Sequence, residues 1–314
     1  MVPDVALRPE VLPTERLLPN GMCRPELRTE LRRIAGRRNA WTVAWLWLWV
    51  AATVAVVARF PRPWVVAVAF LLMGPVHARL AILMHEAAHR LLFVHRRVND
   101  LVGQWLVAAP AFVPIGISRR GHVAHHRAEF GPDDPDIAYY GGYPATRRAL
   151  VRRLTRDAVG ISGWKNFSPL LRAATRTGAR RIALPILGVQ AALWAVTWVA
   201  TGDWWIYPVL WWLPWMTQWR VLNRLRSLAE HGGMAASADR RATTHDVRQS
   251  WIARFWFVPY HAGWHLAHHV DMGIPWRNLP RYHEELRRAG YVTPALTHPS
   301  YRSLWRALSS IPAG

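Results

Sequence analysis

Residues 41–58 contain no charged side chain, and neither do residues 182–200 or 204–219; runs of that length narrow the possible folds more than any other feature of the chain. About 20 apolar residues in a helix span the hydrocarbon core of a bilayer, and a helix satisfies every backbone N–H and C=O within itself. A further apolar block, 64–84, is interrupted only by His77 and Arg79. Many of the 20 tryptophans flank these blocks, where an amphipathic indole suits a membrane surface. The chain reads as an all-α membrane protein.

Forty Lys and Arg against nineteen Asp and Glu give a formal net charge of +21, which on a soluble chain would point first to nucleic acid. The arginines, however, crowd the segments flanking the apolar blocks, as cytoplasmic loops do under the positive-inside rule. No nucleic-acid-binding motif accompanies them, so no nucleic-acid partner is expected. Four transmembrane helices, over about 41–59, 64–84, 182–200 and 204–222, put both termini and the polar stretch 119–181 on the cytoplasmic side. Residues 101–117 are apolar but short and interrupted by Pro110 and Pro114, which predicts an interfacial or re-entrant segment. Residues 1–40 form a cytoplasmic arm, flexible over its first 25 residues and a basic interfacial helix over 26–38, without the apolar core of a cleavable signal. Residues 41–292 form the membrane domain and 293–314 a C-terminal tail. The expected location is a bacterial cytoplasmic membrane.

Chemistry is concentrated in histidine. His85 and His89 stand at i, i+4 where the second apolar block ends. His122, His125 and His126 repeat the spacing i, i+3, i+4, and so do His265, His268 and His269. On a helix, that spacing places imidazoles on one face about 5–6 Å apart. His231 follows the fourth block in Leu228-Ala229-Glu230-His231-Gly232. Nine imidazoles exceed what one metal needs and suit two, and all fall at one predicted membrane face. Cys23 is the only cysteine, so a metal must be held by histidine and carboxylate. His85-Glu86-Ala87-Ala88-His89 also matches the zincin signature, in which Glu acts as general base beside a zinc-bound water. A zinc intramembrane metalloprotease is therefore an alternative, although it leaves both triplets without work.

The three boxes in order, Asn99-Asp100 between the first two, Asp133-Asp134-Pro135-Asp136 after the second and Glu230-His231 before the third carry a family resemblance. So does Pro275-Trp276-Arg277-Asn278-Leu279-Pro280 after the last box. From about residue 80 to 292 the chain resembles the membrane fatty-acid desaturase and hydroxylase superfamily, which also includes alkane monooxygenases and carotenoid hydroxylases. Its Leu-Ala-Glu-His-Gly segment is most like the bacterial branch containing the dihydrorhizobitoxine desaturase.

The resemblance implies two iron ions, with His85, His89, His122, His125, His126, His231, His265, His268 and His269 as ligands under a cytoplasmic helical cap. It implies dioxygen as oxidant and desaturation of a fatty acyl chain. Hydroxylation, or desaturation of a small amino-acid-derived metabolite, is the alternative. No electron-donor module is apparent, so a separate ferredoxin- or rubredoxin-like donor and its reductase are expected partners beside the lipid substrate. Glu86, Glu230 and Asp271 are candidates for orienting the imidazoles from behind. His77 and Arg79 are candidates for lining a substrate tunnel, because ionisable residues inside a span usually face a cavity or a partner, the alternative being that Arg79 snorkels to the interface. His261, where related chains often carry Asn, is either a tenth polar contact or a surface residue. His95, His245, His283 and His298 lack cluster spacing and read as surface residues.

Overall fold

The computed structural model describes residues 1–311. In chain order its helices are α1 (Pro25–Leu31), α2 (Gly36–Arg59), α3 (Pro63–His89), α4 (Arg96–Val102) and α5 (Ile115–Ala128). Next come α6 (Ile137–Tyr140), α7 (Arg147–Ala158), α8 (Ile161–Thr175), α9 (Arg180–Thr201) and α10 (Leu213–Met216). The last five are α11 (Gln218–His231), α12 (Trp251–Trp256), α13 (His265–Val270), α14 (Leu279–Arg288) and α15 (Tyr301–Leu308). Among the described residues the only sheet is a parallel pair, β1 (Asp246–Val247) and β2 (Thr297–His298), with Asp246 opposite Thr297. The chain divides into two compact units, one of Gly36–Arg119 and Arg153–Asn223, the other of Met1–Ala35, Arg120–Arg152 and the residues from Arg224 onward.

The first of these units carries the apolar helices. Pro25–Arg59 (which contains α2), α3 and α9 are long and apolar enough to cross a membrane, with mean hydropathies of 1.8, 1.9 and 1.8. Along α2 the buried residues Asn39, Val43, Leu46, Val50, Thr53 and Val57 recur every three or four positions, a stripe that packs on α3. Its other faces expose Trp41, Trp45, Leu48 and Val56. A helix apolar on both its packed and its outward face has lipid as its fitting solvent. Pro63 opens α3 at its first turn, where the missing N–H costs nothing.

The expected 204–222 crossing is not among these three helices. Pro208–Trp212 forms a wide helical turn, α10 adds four residues, and the backbone breaks at Thr217 (φ −118°, ψ −79°) before α11 begins. The uncharged run ahead of Arg220 is 204–219, about 24 Å of helix at 1.5 Å per residue, against a hydrocarbon core of about 30 Å.

The short segment 101–117 is indeed irregular: α4 leads into a wide turn over Gly103–Ala108. A Cβ on Gly103 would lie 2.7 Å from that of Ala87, so the two backbones approach as closely as they do only with glycine there. Irregular backbone in an apolar unit must find side-chain partners. Gln190 Nε2 donates to Ala109 O (2.6 Å) and Pro110 O (3.2 Å), Trp211 Nε1 to Pro110 O (3.0 Å) and Trp47 Nε1 to Leu106 O (3.0 Å). Tyr207 in turn donates to Gln190 Oε1 at 2.6 Å. Gln190→Leu is therefore expected to lower thermal stability in detergent by about 1–3 kcal/mol, the cost of stranding buried polar groups. An unchanged melting temperature would refute this pinning role.

The second unit has its core where α13 and α14 meet the N-terminal stretch: Leu266, Val270, Tyr282 and Leu286 pack with Leu17 and Leu27. Within the first 25 residues, expected as a flexible arm, a strap packs on this core through the buried Val11, Leu17, Gly21 and Cys23. Leu17 bridges Cys23, Tyr282 Oη donates to Gly21 O at 2.8 Å, and Gly21 (φ +80°) sits against Leu286, Tyr291 and Val270. Its apolar residues follow no period because the strap is neither helix nor strand. Leu27 and Leu31 of α1 are buried in the same core. Within the expected C-terminal tail, α15 is fixed by a capping box at Ser300 and buries Leu304 and Leu308. Residues 312–314 of that tail lie outside the described residues.

Candidate metal centre

α13 has six residues, too few to be stable alone, and is held by burying Leu266, Ala267 and Val270 in the core just described. Its other face presents His265, His268 and His269, all buried. α5 contributes His122, His125 and His126 to the same unit, and α11 ends on His231, where Gly233 (φ +70°) lets the chain turn away.

Seven of the nine sequence-predicted ligands thus converge in one unit, in two groups. His126 Nε2 lies 2.9 Å from His122 Nε2 and 3.1 Å from His268 Nε2. His265 Nε2 lies 3.1 Å from His231 Nε2 and 3.0 Å from His269 Nε2. His125, His231 and His269 also bring ring nitrogens within 4.8 Å of one another, as a set that could hold an ion. His85 and His89 belong to the other unit, where the end of α3 sets their rings 4.9 Å apart. That end is clamped. Asn99 Nδ2 donates to Ala87 O (2.9 Å), and Arg119 donates to Ala87 O and Ala88 O (both 3.0 Å) and to Asp100 (2.5 Å).

What lies behind the rings decides whether they suit a metal. His231 Nδ1 is 2.9 Å from Thr243 O, His125 Nδ1 is 3.0 Å from Asp134 Oδ1, and His269 Nδ1 is 2.5 Å from Glu129 Oε1. Carbonyls and carboxylates accept, so a neutral ring held this way carries its proton on Nδ1 and turns a bare lone pair on Nε2 inward. Nε2 lone pairs about 3 Å apart repel one another unless a proton or a cation lies between them. Imidazoles backed by carboxylates, facing each other through unprotonated nitrogens, fit a metal such as iron or zinc.

The electrostatics agree. Burial holds His231, His265 and His269 well below the usual imidazole range and therefore neutral, as ligands must be. Burial also opposes charge on Asp134, but its bonds from His125 and Tyr140 outweigh that and bring the carboxyl to about 2. His125 is raised, burial opposing and Asp134 prevailing. Burial raises Glu129 despite Arg240, whose Nη1 donates to Oε2 at 2.8 Å.

The carboxylates hydrogen-bonded to Nδ1 atoms are therefore Asp134 and Glu129. Glu129 was not anticipated; it stands in the turn immediately after α5. Of the expected carboxylates, Glu230 is buried, pushed up by burial to about 7, and 3.5 Å from both His265 Nδ1 and Arg226 Nη1. Glu86 is buried within the last turns of α3. Asp271 faces the other way: its oxygens accept from Arg28 (3.1 Å), Arg32 (3.2 Å) and the Gly273 amide. His77 Nε2 donates to Trp211 O (3.0 Å), and Arg79 donates to Pro75 O and lies over the Trp49 ring, so both are engaged inside their own unit. His261 (φ +64°) packs against Trp264 and Trp276. His245, read as a surface residue, is buried with Nε2 2.7 Å from Gly232 O; an isolated histidine gives the sequence no periodic cue to its burial. His95 is exposed, as expected.

The family described as fatty acid desaturase matches residues 62–301. The chain is 26% identical over 236 residues to a dihydrorhizobitoxine desaturase from Bradyrhizobium elkanii, covering 68% of this chain and 65% of that protein. It is 23% identical to an sn-1 oleoyl-lipid 12-desaturase from Anabaena variabilis (77% of this chain, 75% of that one) and 28% identical to a beta-carotene ketolase from a Paracoccus species (64% and 72%). The match thus spans just under two thirds of the first of these relatives.

Proposed function

Because the chain belongs to the fatty acid desaturase family, we propose that it is a membrane oxidoreductase whose nine box histidines hold two iron ions and that uses dioxygen to desaturate a fatty acyl chain. The observation that carries this reading is that the buried, neutral rings of His231, His265 and His269 meet Nε2 to Nε2, while the Thr243 carbonyl and Glu129 occupy Nδ1 of His231 and His269. Bound iron supplies the oxidising power to take hydrogen from an unactivated methylene, which side chains lack and redox-inert zinc cannot provide. The protein's own part is geometric. Asp134 and Glu129 fix the tautomer and orientation of His125 and His269, the Thr243 carbonyl fixes those of His231, and the apolar helices give a lipid chain access from the bilayer.

Reduction of dioxygen to water takes more electrons than a desaturated carbon pair yields, so a pair must come from outside. A separate ferredoxin- or rubredoxin-like donor with its reductase fits that need. The basic residues flanking the apolar blocks support four crossings in a bacterial cytoplasmic membrane, with the termini and metal centre cytoplasmic. Hydroxylation begins with the same hydrogen abstraction, and the relative named for dihydrorhizobitoxine supports a small-metabolite substrate as a second reading.

Metal analysis of protein purified in detergent after iron-replete expression is the test. Two irons per chain are expected. One zinc and no iron would sink the proposal and return the His-Glu-x-x-His protease reading.

A further inference from the structure

Outside the metal centre, in the unit that holds α13, a cleft of about 470 Å³ opens beside Trp264 and is lined by Asp246, Arg248, Arg254, His283 and Arg287 among others. Its one acidic residue, Asp246, is buried and engaged: Oδ1 is 2.9 Å from His283 Nε2, and Oδ2 accepts from Thr297 Oγ1 at 2.7 Å. Arg287 pairs with Glu284 at 2.8 Å. Arg248 and Arg254 are exposed, and among the described residues neither has a carboxylate within ion-pair distance. Arg254 lies 4.9 Å over the Trp264 ring. Trp264 immediately precedes His265, whose Nε2 meets those of His231 and His269.

We propose that this cleft is the docking face for an acidic electron-carrier protein, which delivers its electrons at Trp264, one residue from His265. The proposal rests on the desaturase reading above, since only an oxidative reaction of that class calls for outside electrons. With Cys23 as its single cysteine, this sequence offers no cysteine-held iron–sulfur cluster to supply them. The cations stand exposed at a rim rather than buried around a small cavity, an arrangement suited to steering a charged macromolecule. Each encounter moves one electron: the carrier leaves oxidised, the metal centre is reduced, and two encounters supply the pair that dioxygen reduction requires.

The experiment measures binding of an acidic [2Fe–2S] ferredoxin to the detergent-solubilised, iron-loaded chain across ionic strength. The Arg248→Glu/Arg254→Glu variant is compared with Arg148→Glu/Arg306→Glu, which changes net charge equally at exposed positions elsewhere in the same unit. The cleft variant is expected to bind about tenfold or more weakly at low salt and with a flatter salt dependence. The control variant should stay near wild type. Trp264→Leu should slow oxidation of bound ferredoxin in stopped-flow measurements with little change in Kd. Equal weakening in both double variants, or binding by anionic lipid or inorganic phosphate in place of ferredoxin, would overturn the docking face. Binding is read without turnover and iron content is measured separately. An iron-containing chain that reduces dioxygen with a chemical reductant but ignores the cleft substitutions defeats this inference alone, whereas a zinc protein defeats the reading beneath it.

Discussion

His268→Ala and His125→Ala should each abolish oxygen-dependent product formation while leaving the protein folded and inserted. His268 presents Nε2 at 3.1 Å from His126, and His125 is held through Nδ1 by Asp134 and is one of the set His125, His231 and His269 that could hold an ion. Loss of a ligand should exceed the about 10–100-fold effect typical of a residue that merely supports one. Iron per chain should fall in parallel, which ties the loss to the metal centre and not to substrate access. Size-exclusion behaviour in detergent checks that the variant remains folded, since each substitution also removes a buried ring. His95→Ala supplies the contrast. His95 is exposed, and its replacement should leave iron content and product formation near wild type. Wild-type iron and activity in His268→Ala would show that the box spacing has been misassigned.

That spacing was legible because helical periodicity is local. Two triplets at i, i+3, i+4 declare a shared face whatever the rest of the chain does, and the structure gathers both with His231 in one unit. The apolar runs were legible for the same reason, and α2, α3 and α9 follow from them. Features that depend on sequence-distant partners were not. Glu129 supports His269 across 140 positions, and nothing near either residue announces the pair. Asp271, adjacent to the third box, looked like a partner for it, yet arginines 28 and 32 of the N-terminal stretch reach it first. The strap within the first 25 residues escaped notice because its contacts, such as Tyr282 to Gly21, need no repeating pattern. The expected 204–222 crossing is not one of the three long apolar helices, because Pro208–Trp212, α10 and α11 divide the segment, with proline at 208 and 214.

Glu129 is where the structure departs most usefully from the sequence reading, and a graded substitution series tests its role. Its Oε1 is 2.5 Å from His269 Nδ1, while Oε2 accepts from Arg240 at 2.8 Å. In Glu129→Gln the amide oxygen can still accept from Nδ1–H, so the ring keeps its tautomer but loses the negative charge that offsets a bound cation. In Glu129→Leu both are lost, and Nε2 is no longer fixed as the bare nitrogen. Iron affinity should therefore fall by about 10-fold in the glutamine variant and by about 100-fold in the leucine variant, measured by competition against a chelator. Arg240 loses its partner in both, so Arg240→Leu separates the two effects: it should leave iron affinity nearly intact, since the carboxylate still faces His269. If Glu129→Leu binds iron as tightly as the parent, the short contact with His269 is a packing feature, and the proton that sets the ring must be held from elsewhere.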